Sequence, residues 1–323
     1  MEKLVFFTRE DAWSFAMGEL GALSGVRVVS LAPGAGLLLG EGDLTERVNA
    51  LSPLFIRHIH PAERVIASMD ALPAAAEELT RDYSGKKLAV HAVDLTGERG
   101  EGAILAALLD SPAIGRFETG PEEETVLSAT RAKDGIYLGL SKSRDMLSPR
   151  AGGIYRYAMT PETVSRAAFK LTEVFDRLPL PAPREALDLG AAPGGWTRVL
   201  LEKGARVTAV DPAKLDPRVE DDPRVTHYRG LSQDYLKEAG DKSFDYLVND
   251  MRMDARESVR VTLEALPLLK SGGILVITLK LPEKGSLKRA RDAMALLREE
   301  VGILFARQLY HNRSEITCVG KKP

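Results

Sequence analysis

Residues Glu185 to Gly195 read EALDLGAAPGG, and the chain continues as Trp196-Thr197-Arg198-Val199-Leu200-Leu201. An apolar run stops on a glycine-rich turn, and the turn leads at once into helical periodicity. The alternation continues outward from there. ARVTAVD (205–211), FDYLVNDM (244–251) and GGILVITLK (272–280) are strand-like, with helical patterns between them, one running through Leu269. FARQLYH (305–311) and EITCVG (315–320), split by the short polar turn NRS, suggest a terminal antiparallel hairpin. Strands that are apolar throughout, alternating with helices, predict an α/β fold with a doubly wound, mostly parallel sheet.

In such a sheet the turn after the first strand is where a nucleotide-like ligand binds. A dinucleotide site needs a glycine at the second position so that backbone can approach a pyrophosphate. Here Ala192 stands there, and Pro193 removes an N–H that a phosphate would use. The loop suits a ligand without phosphate, such as S-adenosyl-L-methionine, whose amino-acid end can meet backbone at the helix N-terminus. Asp211, at the end of the second strand, is placed to accept hydrogen bonds from ribose hydroxyls, although an acid there also serves as a simple turn cap.

Four charged residues close apolar elements. Asp250 and Lys280 end strands, Glu315 begins the last one, and Lys170 lies on the helix before the first. That helix is expected to start at Thr160-Pro161-Glu162, a cap, a preset φ and an acid, with Val164, Ala168, Leu171, Phe175 and Leu178 as its apolar stripe. A buried charge has to be paired, so two acids and two lysines converging on one edge point to chemistry more than to packing.

The bulk composition sets limits. A chain of 323 residues with 44% hydrophobic and 28% charged residues is ordinary for a globular protein of two domains. No apolar run is long enough to span a bilayer, so no membrane association is expected. MEKLVFFTREDAW does not read as a secretory signal. A single cysteine, Cys318, excludes an internal disulfide and points to the cytoplasm; scattered histidines give no metal-ligand spacing, and no metal is expected. The formal net charge of −2 offers no general attraction to nucleic acid. One stretch is basic: Arg131, Lys133, Lys142, Arg144, Arg150, Arg156, Arg166 and Lys170 are opposed only by Asp134, Asp145 and Glu162.

Residues 143–157 (SRDMLSPRAGGIYRY) read as a connection, which places domains at 1–150 and 158–323. Before it, LVFF, VRVVSLA, GLLLG and KLAVHAVDL read as strands. Met69–Leu79 and GAILAALLD read as helices, and TVLSATRA with GIYLGLSK as a hairpin, giving an α+β module.

SRAAFKL (165–171), LDLGAAPGGWT (187–197), VND (248–250), TLK (278–280) and RSE (313–315) resemble the motifs of the FtsJ-type ribose 2′-O-methyltransferases. ITLKLP (277–282) and ARQLYHNRSEIT (306–317) bring the resemblance closest to the branch that acts on cytidine of large-subunit ribosomal RNA. NALSPLFIRHIHP (49–61) and VHAVDLTGERG (90–100) look like that branch's ferredoxin-like and THUMP-type RNA-binding region. The resemblance implies a Rossmann-like methyltransferase domain, S-adenosyl-L-methionine as cofactor and RNA as substrate, with no obligatory protein partner. It implies Lys170, Asp250, Lys280 and Glu315 as catalytic, Lys280 taking the proton. The cofactor contacts would be Ser165, Gly190, Ala192, Pro193, Gly194, Gly195, Trp196, Asp211 and Asp250. The family's acid near the adenine has no clear counterpart, since Leu231 aligns there and Asp234 follows three residues on. For Lys280 to act as a base its pKa has to fall, and burial beside a second cation, Lys170, is the expected cause. Transfer RNA as substrate, a small-molecule methyltransferase and a cofactor-holding ribosome-assembly factor without turnover are the competing readings.

Overall fold

The computed structural model describes residues 1–98, 100–120, 123–281 and 286–323; Arg99 and Pro282, which belong to two of the runs quoted above, lie outside the described residues. The chain divides into two compact units, Met1–Ile154 and Tyr155–Pro323. Among the described residues no helix is long and apolar enough to cross a membrane.

The first unit holds two sheets. Four antiparallel strands lie in the order Arg27–Ala32, Ala35–Gly40, Glu2–Phe7 and His58–Pro61. Five more lie in the order Arg64–Ile66, Gly135–Lys142, Thr125–Ala132, Lys87–Asp94 and Glu118–Gly120. Thr125–Ala132 and Gly135–Lys142 form the antiparallel hairpin that their alternation predicts. The helix expected from Met69 starts with a 3-10 turn, Met69–Ala71, and continues as Leu72–Thr80 with Leu72 and Ala76 fully buried. The strand His58–Pro61 escaped the sequence reading because two histidines and a proline hide its apolar pattern.

Cross-strand pairing also changes the basic stretch. Arg131 stands opposite Asp94 and pairs with Glu98 at 2.9 Å, Lys142 pairs with Glu124 at 3.2 Å, and Arg144 with Asp145 at 3.8 Å. Glu98 and Glu124, which lie outside the run, thus add to the acids that oppose it.

In the second unit the strands are β1 (Glu185–Leu189), β2 (Arg206–Val210), β3 (Val225–Tyr228), β4 (Phe244–Asn249), β5 (Leu269–Lys280), β6 (Gly302–Arg307) and β7 (Glu315–Lys321). The helices are α1 (Ala168–Arg177), α2 (Gly195–Glu202), α3 (Pro217–Glu220), α4 (Ser232–Glu238), α5 (Ala255–Ala265) and α6 (Ser286–Glu300). The sheet runs β3-β2-β1-β4-β5-β7-β6, with β7 antiparallel to both neighbours and β1 to β5 parallel. Strand order reverses between β1 and β4, so the crevice at the carboxyl ends of these two strands is the ligand position this fold provides. Leu187, Val248 and Val276, each fully buried, show why the central strands are apolar on both faces.

α1 begins at Ala168 and not at Thr160. The Thr163 hydroxyl accepts the Thr160 N–H at 3.0 Å, and the Thr163 N–H bonds the Thr160 carbonyl at 3.0 Å. Threonine side chains close a local turn here in place of capping a helix. Val164 still packs on the core beneath β1, and the stripe proper starts at Ala168.

Candidate active site

The turn between β1 and α2 is held from several sides. Gly190 has φ +74°, and a Cβ there would lie 2.3 Å from the Met251 side chain, so only glycine lets the segment after β4 approach. The Gly190 N–H bonds the Val210 carbonyl at 2.9 Å, tying the turn to the end of β2. Gly194, at φ +109°, delivers the chain into α2 without a side-chain cap, and within the first turn of that helix the Thr197 N–H goes to the Asp188 carboxylate. Trp196 is buried and donates its indole N–H to the Ala167 carbonyl at 2.8 Å, fixing α1 against α2.

Asp211 lies one residue past β2. One carboxylate oxygen accepts the Ala192 N–H at 3.1 Å, and the other accepts the Ala213 N–H at 2.8 Å. The side chain therefore does serve as a turn cap. Each oxygen keeps a further lone pair, so ribose hydroxyls can still be accepted. Leu231 is 56% exposed, and Asp234, on α4, pairs with Lys237 at 3.1 Å.

On the other side of β1, the four charged residues come together. Lys170 Nζ lies 3.1 Å from both oxygens of Asp250 and 2.6 Å from Glu315 Oε1. Lys280 Nζ lies 2.6 Å from Asp250 Oδ1 and also bonds Glu315 Oε2. Each ammonium touches both carboxylates and each carboxylate touches both ammoniums. This closed ring has no net charge, which is the condition for burying four charges together. The Lys170 and Glu315 side chains are only 11% and 7% exposed, whereas Lys280 remains 23% exposed and so is the lysine that a substrate can reach.

Burial drives the Lys280 ammonium pKa down, but Asp250 and Glu315 outweigh it and hold that pKa above the ordinary lysine value. This corrects the sequence expectation. Burial and a second cation are both present, yet two carboxylates in direct contact dominate. Glu315 shows the mirror effect: burial pushes its pKa up, and Lys170 with Lys280 bring it below the usual range.

Among the comparisons with known proteins, the family match falls on this half. Residues 163–285 match the family model of FtsJ-like methyltransferases. A protein named ribosomal RNA large subunit methyltransferase M from Halorhodospira halophila is 36% identical over 184 residues, covering 54% of this chain and 53% of its own. One of the same name from Shewanella pealeana is 28% identical over 301 residues, 85% of this chain and 82% of its own. The chain thus spans about half the length of the first of these curated relatives in its more similar match. The pre-rRNA processing protein fibrillarin of Methanococcus jannaschii superposes with a TM-score of 0.40 at 15% identity, over 60% of this chain and 81% of that one.

Around the ring stand further side chains that the sequence does not single out. Asn249, fully buried at the end of β4, accepts the Met251 N–H at 2.9 Å and donates to Thr262 at 2.9 Å. It sets the bend that presents Asp250. Asn312, also fully buried, donates to Glu315 Oε1 at 3.3 Å while its own oxygen takes the Leu309 N–H at 2.7 Å and the Thr317 hydroxyl at 3.1 Å. Thr278 is two residues before Lys280, so the strand period puts both on one face. Its hydroxyl bonds Asp250 Oδ1 at 2.5 Å. Asp188, fully buried on β1, accepts the Thr197 hydroxyl at 2.6 Å; burial, together with Asp250 and Asp211, pushes its carboxyl up to about 7. That i, i+2 spacing was the available signal for Thr278; nothing in the sequence marked Asn312.

The residues fit a cofactor at the β1 turn. The Ser165 hydroxyl is buried without a hydrogen-bond partner, and a Cβ on Gly195 would stand 2.3 Å from it. A buried hydroxyl left open beside a turn kept free of side chains awaits a polar ligand group.

Proposed function

We propose that this chain is an S-adenosylmethionine-dependent RNA ribose 2′-O-methyltransferase that acts on large-subunit ribosomal RNA. The closed ring of Lys170, Asp250, Lys280 and Glu315 beside the glycine turn carries this reading, and the named relatives supply the RNA class. Ser165, Gly190, Ala192, Pro193, Gly194, Gly195, Trp196, Asp211 and Asp250 hold the cofactor: turn backbone and the Ser165 hydroxyl at its amino-acid end, Asp211 at its ribose. S-adenosylmethionine supplies a cationic sulfonium with an electrophilic methyl group.

Lys280, the most exposed member of the ring, gives up one ammonium proton to solvent and, as the neutral amine, accepts the hydrogen bond of the ribose 2′-hydroxyl and takes its proton. An added cation at the ring lowers the lysine's pKa, opposing Asp250 and Glu315. Lys170 neutralises the two acids and keeps Lys280 aimed, and the nearly dry ring excludes water from the hydroxyl. The first unit contributes none of these groups, and we assign it to RNA selection. A chain with a single, buried cysteine suits a reducing cytoplasm, where ribosomal RNA is processed.

Transfer of a radiolabelled methyl group to ribosomal RNA, followed by nucleoside analysis, tests the reading. The expected product is a 2′-O-methylnucleoside. A methylated base, methylation of transfer RNA alone, or no transfer at all overturns it.

A further inference from the structure

An ammonium has three protons to donate. For Lys280 all three have acceptors: Asp250 Oδ1 at 2.6 Å, Glu315 Oε2, and Thr278 Oγ1 at 3.1 Å. The nitrogen that has to receive a substrate hydroxyl is already saturated. One of its bonds must be given up for substrate to approach.

Two of the three bonds join opposite charges, and such bonds are about twice as strong as neutral ones. The third ends on the uncharged hydroxyl of Thr278 and, at 3.1 Å against 2.6 Å, is longer than the bond to Asp250. Thr278 is fully buried and stands within β5, so it does not move with a loop. Its hydroxyl can lose the bond from Lys280 cheaply because its own proton stays committed to Asp250 Oδ1 at 2.5 Å.

We propose that Thr278 is a positioning residue that fills the third hydrogen bond of Lys280 until the ribose 2′-hydroxyl replaces it. Thr278 is thus a stand-in for the substrate, an alcohol oxygen where an alcohol oxygen must arrive. It keeps the lysine extended toward the substrate side in the free enzyme, and by holding Asp250 Oδ1 it prevents that carboxylate from following the lysine when the exchange occurs. The inference rests on the proposed reaction for its substrate, but the Thr278 bond itself is independent of it.

The charged groups facing Lys280 are Lys170 on α1, Asp250 after β4 and Glu315 on β7, with Asp188 on β1 acting on Asp250 from behind. Thr278→Val preserves these groups and the side-chain shape while deleting an acceptor that favours the charged lysine directly; the donor to Asp250 is lost with it, an effect that reaches Lys280 only through that carboxylate. In the full chain labelled with 13C at lysine Cε, the Lys280 signal, assigned by its loss in Lys280→Arg, is expected to start titrating about one pH unit lower in Thr278→Val. The rising limb of kcat/KM for ribosomal RNA should move the same way. Thr278→Ser should restore both to their wild-type positions, which a purely structural role for threonine does not require. Thr278→Ala, which only removes volume besides the hydroxyl, should reproduce the shift if the valine variant does not fold. An unshifted Lys280 signal in a folded variant lacking the hydroxyl overturns the proposal. Absence of RNA methylation by the wild type would instead undo the assigned reaction, and the titration would still judge Thr278.

Discussion

Both units bury charged and polar side chains, but those of the first unit and the four-charge ring of the second dispose of their hydrogen bonds in opposite ways. In the first unit Glu19, 2% exposed, accepts the backbone N–H of Leu54 at 2.7 Å and of Phe55 at 3.0 Å. Arg57 donates to the Thr8 carbonyl at 2.8 Å. His60, which burial takes down to about 4 and so keeps neutral, meets the Pro61 carbonyl and the Thr130 hydroxyl, each at 2.8 Å. These groups tie one stretch of backbone to another. In the second unit Lys170, Asp250, Lys280 and Glu315 spend their hydrogen bonds chiefly on one another and on neighbouring side chains. A buried charge bonded to backbone accounts for itself as structure. A ring of charges bonded mutually costs desolvation without fixing the chain, so its reason lies in what it does to a ligand.

The sharpest test of that contrast is Lys280→Ala. Methyl transfer should fall by about a thousandfold or more, within the range for removal of a positioned acid–base group, while cofactor affinity stays within a few-fold. Single-turnover kinetics with calorimetry of cofactor binding separates the two. Turnover close to wild type would make the ring structural, like the buried polar groups of the first unit.

Glu19→Ala should do the reverse. It strands two buried N–H groups, so stability is expected to drop by about 2–4 kcal/mol, read as the shift of the urea midpoint. Methyl transfer per folded molecule should be unchanged. A loss of transfer without a loss of stability would remove the distinction between the units.

How much of this could be read from the chain differs between the units for a physical reason. The parallel sheet, its terminal hairpin and the elements bearing Lys170, Asp250, Lys280 and Glu315 were legible because charges at the ends of apolar strands are conspicuous. The start of α1 was not, because Thr160-Pro161-Glu162 carries cap chemistry that a side-chain turn at Thr163 uses instead. The direction of the Lys280 pKa was also misread, since burial is visible in a sequence but simultaneous contact with two carboxylates is not. Asn249 and Asn312 stayed hidden because a polar residue beside a turn looks the same whether it faces water or positions a buried carboxylate.

A smaller effect is expected where structure and ligand share one side chain. Asp211 already accepts the Ala192 and Ala213 N–H groups and is proposed to take ribose hydroxyls as well. Asp211→Ala should weaken cofactor binding by about 1.5–3 kcal/mol, with kcat at saturating cofactor nearly retained. Asp211→Asn should recover part of the affinity, because an amide oxygen can accept one of the two backbone bonds. Unchanged calorimetric affinity in Asp211→Ala would leave the residue with its capping role alone.

Asp188 gives the finest discrimination, because it lies under the site without joining the ring. Its carboxyl ionises near 3.8 when unfolded and near 7 when folded, burial being the main cause and Asp250 and Asp211 adding to it. Below about pH 4 the acid is protonated in both states and has no effect on the balance. Between there and pH 7 the unfolded chain has released a proton that the folded one retains, so this residue makes stability fall as pH rises. Above 7 the folded state carries a buried charge supported by the Thr197 hydroxyl, and the cost is fully present. Asp188→Asn cannot ionise and still offers Thr197 an oxygen. Relative to wild type, it should therefore gain stability progressively from pH 4 to 7 and hold that gain above. Urea unfolding at pH 5, 6, 7.5 and 8.5 reads the trend directly. A stability difference that does not change across this window would mean Asp188 is ionised throughout, and that something other than Thr197 stabilises its charge beneath the β1 turn.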